Sequence, residues 1–129
     1  MNYISRVGIG QDVIFHGKTD SIIEDVVFKV VFDLTGIDDC QITSKSRHRE
    51  IVEARQMVHY LLKEYSNFSL SKIGCTTLND HSTVIYSIKN IKNLIEYNKV
   101  LSAYILKSKI VIEEKIKNHE KKLYLQTIR

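Results

Sequence analysis

From Thr19 onward the apolar residues recur at helical spacing, with Ile23, Val26, Val27, Val30, Val31 and Leu34 falling three or four apart. Ser21 and Glu24 fit a capping box, and Gly36 supplies a left-handed stop. A first helix is therefore expected from Thr19 to about Gly36. A second is expected from Glu50 to Tyr65, with Ile51, Ala54, Met57, Val58, Leu61 and Tyr65 as its buried stripe. Arg55, Gln56, His59 and Lys63 fall largely on its other faces, so most of them call for a surface explanation, whereas Tyr60 and Tyr65 read as core. Ser69 is a good N-cap for a short third helix that buries Leu70 and Ile73 and stops at Gly74. Asp80 caps a fourth, with Val84, Ile88, Ile91 and Ile95 inward.

Beyond Asn98 the pattern predicts one more long helix, marked by Leu101, Ile105, Ile112, Ile116 and Leu123. Ser108 and His119 interrupt its stripe, so a coiled-coil seam and packing back onto the domain both remain open. Residues 1–18 alternate weakly around Val13-Ile14-Phe15, as a short strand or a tail would. The fold class is all-α. The expected organisation is an N-terminal extension over 1–18, a domain over 19–107 and a basic helical extension over 108–129.

Composition supports this reading. The chain has 129 residues, enough for one domain, and it contains no proline to interrupt helices. No apolar stretch approaches the ~20 residues of a membrane helix, and Met1 to Gly10 lacks the layout of a secretory signal. Cys40 and Cys75 provide no disulfide framework, and with His16, His48, His59 and His119 they show no metal-ligand spacing. A cytoplasmic protein associated with the nucleoid is expected. Gly8 and Gly10 lack the third glycine and the Lys-Ser/Thr of a nucleotide loop. No nucleophile has a recognisable base partner, so no enzyme activity, cofactor or metal is expected.

Charge adds a direction. Residues 1–43 carry three Lys/Arg against seven Asp/Glu, and residues 44–129 carry sixteen against eight, a swing from −4 to +8. A basic body points to a polyanion, nucleic acid being the commonest. The predicted third and fourth helices, joined by a tight turn, form a helix-turn-helix. Its second helix opens with Asp80, His81, Ser82 and Thr83, polar side chains that packing does not require. A recognition helix enters the major groove N-terminus first. There a carboxylate can accept from cytosine, and hydroxyls and imidazole can bond base edges.

These residues resemble a known family. Ser44-Lys45-Ser46-Arg47, Arg49 to Gln56, Ser69-Leu70-Ser71-Lys72-Ile73-Gly74 and Asp80-His81-Ser82-Thr83-Val84 are similar, in order and spacing, to the C-terminal DNA-binding domain of the bacterial replication initiator DnaA. The likeness covers about residues 20–107. It implies an all-helical module that binds a short asymmetric duplex element, the DnaA box. It further implies that Arg49 enters the minor groove, that Arg55 and Gln56 lie against the DNA, and that Lys63 meets phosphate. Ser71 would sit at the duplex, and Asp80, His81, Ser82 and Thr83 would read major-groove edges. Thr77-Leu78-Asn79 replaces the family's usual Gly-Gly-Arg with a loop one residue shorter. Ser82 replaces a threonine, and Lys72 a typical glutamate.

No phosphate-binding loop occurs, so the expectation is a box-reading module without the family's ATPase. Double-stranded DNA is the expected partner, in replication initiation, its regulation or transcriptional control. The C-terminal helix offers a route to a homo-oligomer. The alternative is a protein-interaction module, for dimerisation or as an adaptor, that kept the fold and lost specific DNA binding.

Overall fold

The computed structural model describes residues 9–127, with side chains from Asp20 onward. Among the described residues there are six helices and no strand. They are α1 (Ile9–Thr35), α2 (Asp39–Ile42), α3 (Arg49–Tyr65), α4 (Leu70–Thr77), α5 (His81–Tyr97) and α6 (Lys99–Thr127). The all-α helix-turn-helix bundle expected from periodicity is present.

The first helix starts earlier than its capping signal suggested. It runs from Ile9, so Val13-Ile14-Phe15 lies in helix rather than strand, and Ser21 and Glu24 are interior positions. Residues 1–8 of the expected extension, Gly8 included, lie outside the described residues. The capping box belongs to α2, where Gln41 N donates to Asp38 Oδ1 at 2.8 Å and Asp38 N donates to Gln41 Oε1 at 3.1 Å. Gly36 does end α1, with φ of 78°.

Helix α3 is the centre of the molecule and packs against α1, α2, α4 and α5. Ala54, Met57, Val58, Leu61 and Leu62 on it are all 1% exposed or less. Burial of five such side chains supplies much of the drive for folding, at roughly 1.5–3 kcal/mol for each larger one. Tyr60 and Tyr65 are core residues as expected. Tyr65 also donates its hydroxyl to Glu113 Oε2 at 2.7 Å. Burial, then the Glu113 bond, push the phenol pKa upward. Helix α6 continues without a break through residue 108 and packs on α1 and α5, burying Leu101, Ile105, Ser108, Ile112 and Ile116. Ser108 donates to the Tyr104 carbonyl oxygen at 2.7 Å and so enters the core without an unpaired hydroxyl.

His59 contradicts the surface expectation. It is fully buried and bridges three helices, with Nδ1 2.8 Å from Ser87 Oγ on α5 and Nε2 2.6 Å from Thr77 Oγ1 on α4. Thr77 has one hydroxyl hydrogen, directed to Asn79 Oδ1 at 2.8 Å or to the Gly74 carbonyl at 3.3 Å. Towards His59 it therefore accepts, which places the imidazole proton on Nε2 and leaves Nδ1 to accept from Ser87. Burial first, and the charge of Arg55 second, push the His59 pKa down to about 4.

This depressed pKa couples folding to pH. Between pH 6.5 and about 4 the unfolded chain takes up a proton at His59 that the folded chain refuses. Stability therefore falls as pH drops through this window, by roughly 3 kcal/mol in total. Urea denaturation at pH 7, 5.5 and 4.5 is expected to show this loss, and His59→Gln to flatten the decline above pH 5. Equal slopes in the two proteins would assign the decline to other groups.

Candidate nucleic-acid interface

The turn between α4 and α5 is built around Gly74. Contrary to expectation, this glycine does not end α4, which continues to Thr77 and stops at Leu78 in the left-handed region (φ 62°). Gly74 is instead where the backbone of the turn passes against α4. Its carbonyl accepts from Asn79 N at 2.8 Å, and an added Cβ would collide with the Asn79 carbonyl oxygen and meet Asp80 C at 3.3 Å. Both obstacles are backbone, so they cannot swing aside. The turn at Leu78 and Asn79 closes over the missing side chain.

Asp80 then starts α5. Its Oδ1 accepts from Thr83 N at 2.9 Å, as an N-cap does. That backbone N–H, foremost, holds the carboxyl below the usual aspartate range. Asp80 stays charged with one oxygen committed to the helix. His81, Ser82 and Thr83 are all exposed in the first turn. The amide groups and dipole of this helix end favour a phosphate nearby.

The basic loop before α3 is held by one side chain. Arg55 donates from Nε to the Ile42 carbonyl at 2.7 Å and from Nη2 to the carbonyls of Ser44 at 2.9 Å and Ser46 at 3.2 Å. Ser44 Oγ donates to Gln41 O and accepts from Ser46 N, and Ser46 Oγ accepts from His48 N. With its polar backbone turned inward, the loop exposes Lys45, Arg47 and His48. A cleft of about 600 Å³ separates this loop from the helix-turn-helix, and Lys45, Arg47, Arg55, Leu78, Asn79 and Thr83 are among its lining residues.

The expected contact residues separate on this surface. Arg55 and Thr83 share the cleft, with His81 and Ser82 beside Thr83 on α5. Arg49 is the first residue of α3, highly exposed and 3.4 Å from Glu53 Oε2. Ser71 is exposed in the first turn of α4, and Lys63 is exposed in the last turn of α3. Gln56 does not join them. It is 7% exposed, and its Oε1 accepts from Asn90 Nδ2 at 2.7 Å, which fastens α3 to α5. Lys45, Arg47 and Asn79 line the cleft although they were not named as contact residues. The Ser-Lys-Ser-Arg run carried the signal for the first two, and the Thr77-Leu78-Asn79 departure carried that for the third. Near Cys40, the carboxylates of Asp38 and Asp39 are used at the start of α2, accepting from Gln41 N and Cys40 N.

The family model described as the bacterial DnaA protein helix-turn-helix matches residues 24–91. The chromosomal replication initiator protein DnaA of Bacteroides thetaiotaomicron is 36% identical over 103 residues, covering 79% of this chain and 22% of that protein. Its counterpart in Bacteroides fragilis is 39% identical over 83 residues, covering 64% and 17%. That of Campylobacter curvus is 37% identical over 97 residues, covering 73% and 22%. The chain thus spans about a fifth of the length of these relatives. No solved structure matches it. Among the described residues no helix is long and apolar enough to cross a membrane.

The three carbonyl bonds of Arg55 need a planar fork, which lysine lacks. Arg55→Lys is expected to cost about 1–2 kcal/mol and to speed hydrogen exchange at residues 43–48 relative to the α3 core. Unchanged exchange there would remove Arg55 as the anchor of the loop.

Proposed function

The chain belongs to the bacterial DnaA helix-turn-helix family, and on that premise we propose that it is a sequence-specific duplex DNA-binding module. One observation carries the reading. The free first turn of α5 and the basic 44–48 loop border a single cleft, with Arg55 fixing the loop and Asp80 fixing the helix start. A recognition helix and a basic arm so placed can address adjacent grooves of one duplex. His81, Ser82 and Thr83 read base edges in the major groove. Asp80 orients that turn as its cap and offers its remaining oxygen to a cytosine amino group. The basic loop, with Arg47 and Arg49, follows the neighbouring minor groove, where narrow A·T-rich stretches attract arginine. Ser71 and Lys63 meet the backbone. Gln56 supports α5 from within.

The recognised element is a short asymmetric duplex like the family's box, and the role is binding rather than catalysis. Replication initiation, its regulation or transcriptional control are the processes in which such a module acts. Exposed Leu106 and Ile110 on α6 support self-association, which would place two modules on one duplex.

Lys45, Arg47, Arg49 and Lys63, each neutralising a phosphate, are expected to contribute about −3 to −4 to the slope of log affinity against log salt. Titration of a labelled duplex at several salt concentrations measures it. A selected duplex should be lost by His81→Ala to the extent of about 1–3 kcal/mol, with little change on random DNA. Equal losses on both would remove the base-reading role. Failure of the wild-type chain to retain any duplex from a random pool at moderate salt would overturn the proposal.

A further inference from the structure

Helix α5 has a second exposed stripe beyond its first turn. Val84, Ser87 and Ile91 face the core. Ser82, Tyr86, Lys89 and Asn93, spaced four, three and four residues apart, occupy the opposite side and are all exposed. Tyr86 is 63% exposed, and among the described residues it makes no hydrogen bond or ring contact. Lys89 has no ion-pair partner among them. Neither residue contributes to the core, and both lie beyond the Asp80–Val84 motif, within the family match that runs to residue 91.

Helical geometry places these side chains relative to the turn that reads bases. Tyr86 stands about 6 Å beyond Ser82 along the axis, and Lys89 about 10 Å beyond it. The major groove is about 8.5 Å deep. A helix entering N-terminus first therefore keeps its second turn between the groove walls, while its third turn passes the phosphates. We propose that Tyr86 and Lys89 extend the reading face of α5: the Tyr86 ring packs on a thymine methyl at one edge of the site, and Lys89 neutralises a phosphate of the groove wall. This assignment rests on the DNA-binding reading above. It gives the chain a specificity position outside the Asp80–Thr83 cluster.

The test uses the full chain, with duplexes selected from a random pool by the wild type, Tyr86→Ala, Tyr86→Phe and Lys89→Ala. Both side chains are exposed, so thermal melts of the variants should match the wild type. Tyr86→Ala is expected to lose the sequence preference at one or two adjacent base pairs at one end of the selected site, and Tyr86→Phe to keep it, because the ring makes the contact. Lys89→Ala should leave the selected sequence unchanged and reduce the magnitude of the salt slope by about 0.9. An unchanged preference in Tyr86→Ala, or an unchanged slope in Lys89→Ala, overturns the assignment for that residue. If the wild type and the His81→Ala control differ as expected while these variants do not, only this extension fails. If the wild type selects no sequence, the underlying reading fails with it.

Discussion

The surface proposed to face the duplex depends on one buried imidazole. His59 joins α3 to α5 through Ser87 and to the end of α4 through Thr77, and the Thr77 hydroxyl passes the chain on to the turn that leads into α5. Each of these groups is at most 2% exposed. Removing one would leave its partner's polar atom unsatisfied in a site water cannot enter, a larger loss than that of an average hydrogen bond. The angle between α4 and α5 follows from these bonds together with the close approach at Gly74. Because the imidazole is neutral, the network joins three helices without placing a charge in the core.

Arg55 does for the basic loop what His59 does for the turn. Its guanidinium is partly withdrawn from water, which lowers its pKa, and it binds three backbone carbonyls. Carbonyls directed at Arg55 cannot also face a phosphate, so the outer side of the loop is left to Lys45 and Arg47. A cation can thus serve DNA binding by shaping the element that carries other cations. Asp80 has a comparable double use: its carboxylate closes the end of α5 and so sets where His81, Ser82 and Thr83 stand.

Local signals were legible in the chain. Ser69 and Asp80 cap the helices they were expected to cap, Gly36 ends α1, and the stripe Ala54, Met57, Val58 and Leu61 is core. Each of these depends on residues within about one turn of the helix, so spacing reveals it. Signals that needed a distant partner were misread. Gly74 resembles a helix stop, but it is kept bare by the backbone of Asn79. Gln56 and His59 are polar residues beside a buried stripe. Only the opposing Asn90, Ser87 and Thr77 make their burial tolerable.

The sequence by itself therefore determined an all-helical chain, the order and most of the ends of its five longer helices but not the short α2, and a run of small polar residues opening α5. Period and the caps at Ser69 and Asp80 act over a few residues and can be read without the fold, whereas the apparent capping box at Ser21 and Glu24 lies inside α1. Which polar residues face outward was decided only when the helices packed. Burial of a histidine, a glutamine or an arginine depends on whether another segment of the chain brings a hydrogen-bonding partner within reach. That partner lies 9 to 34 residues away in these cases.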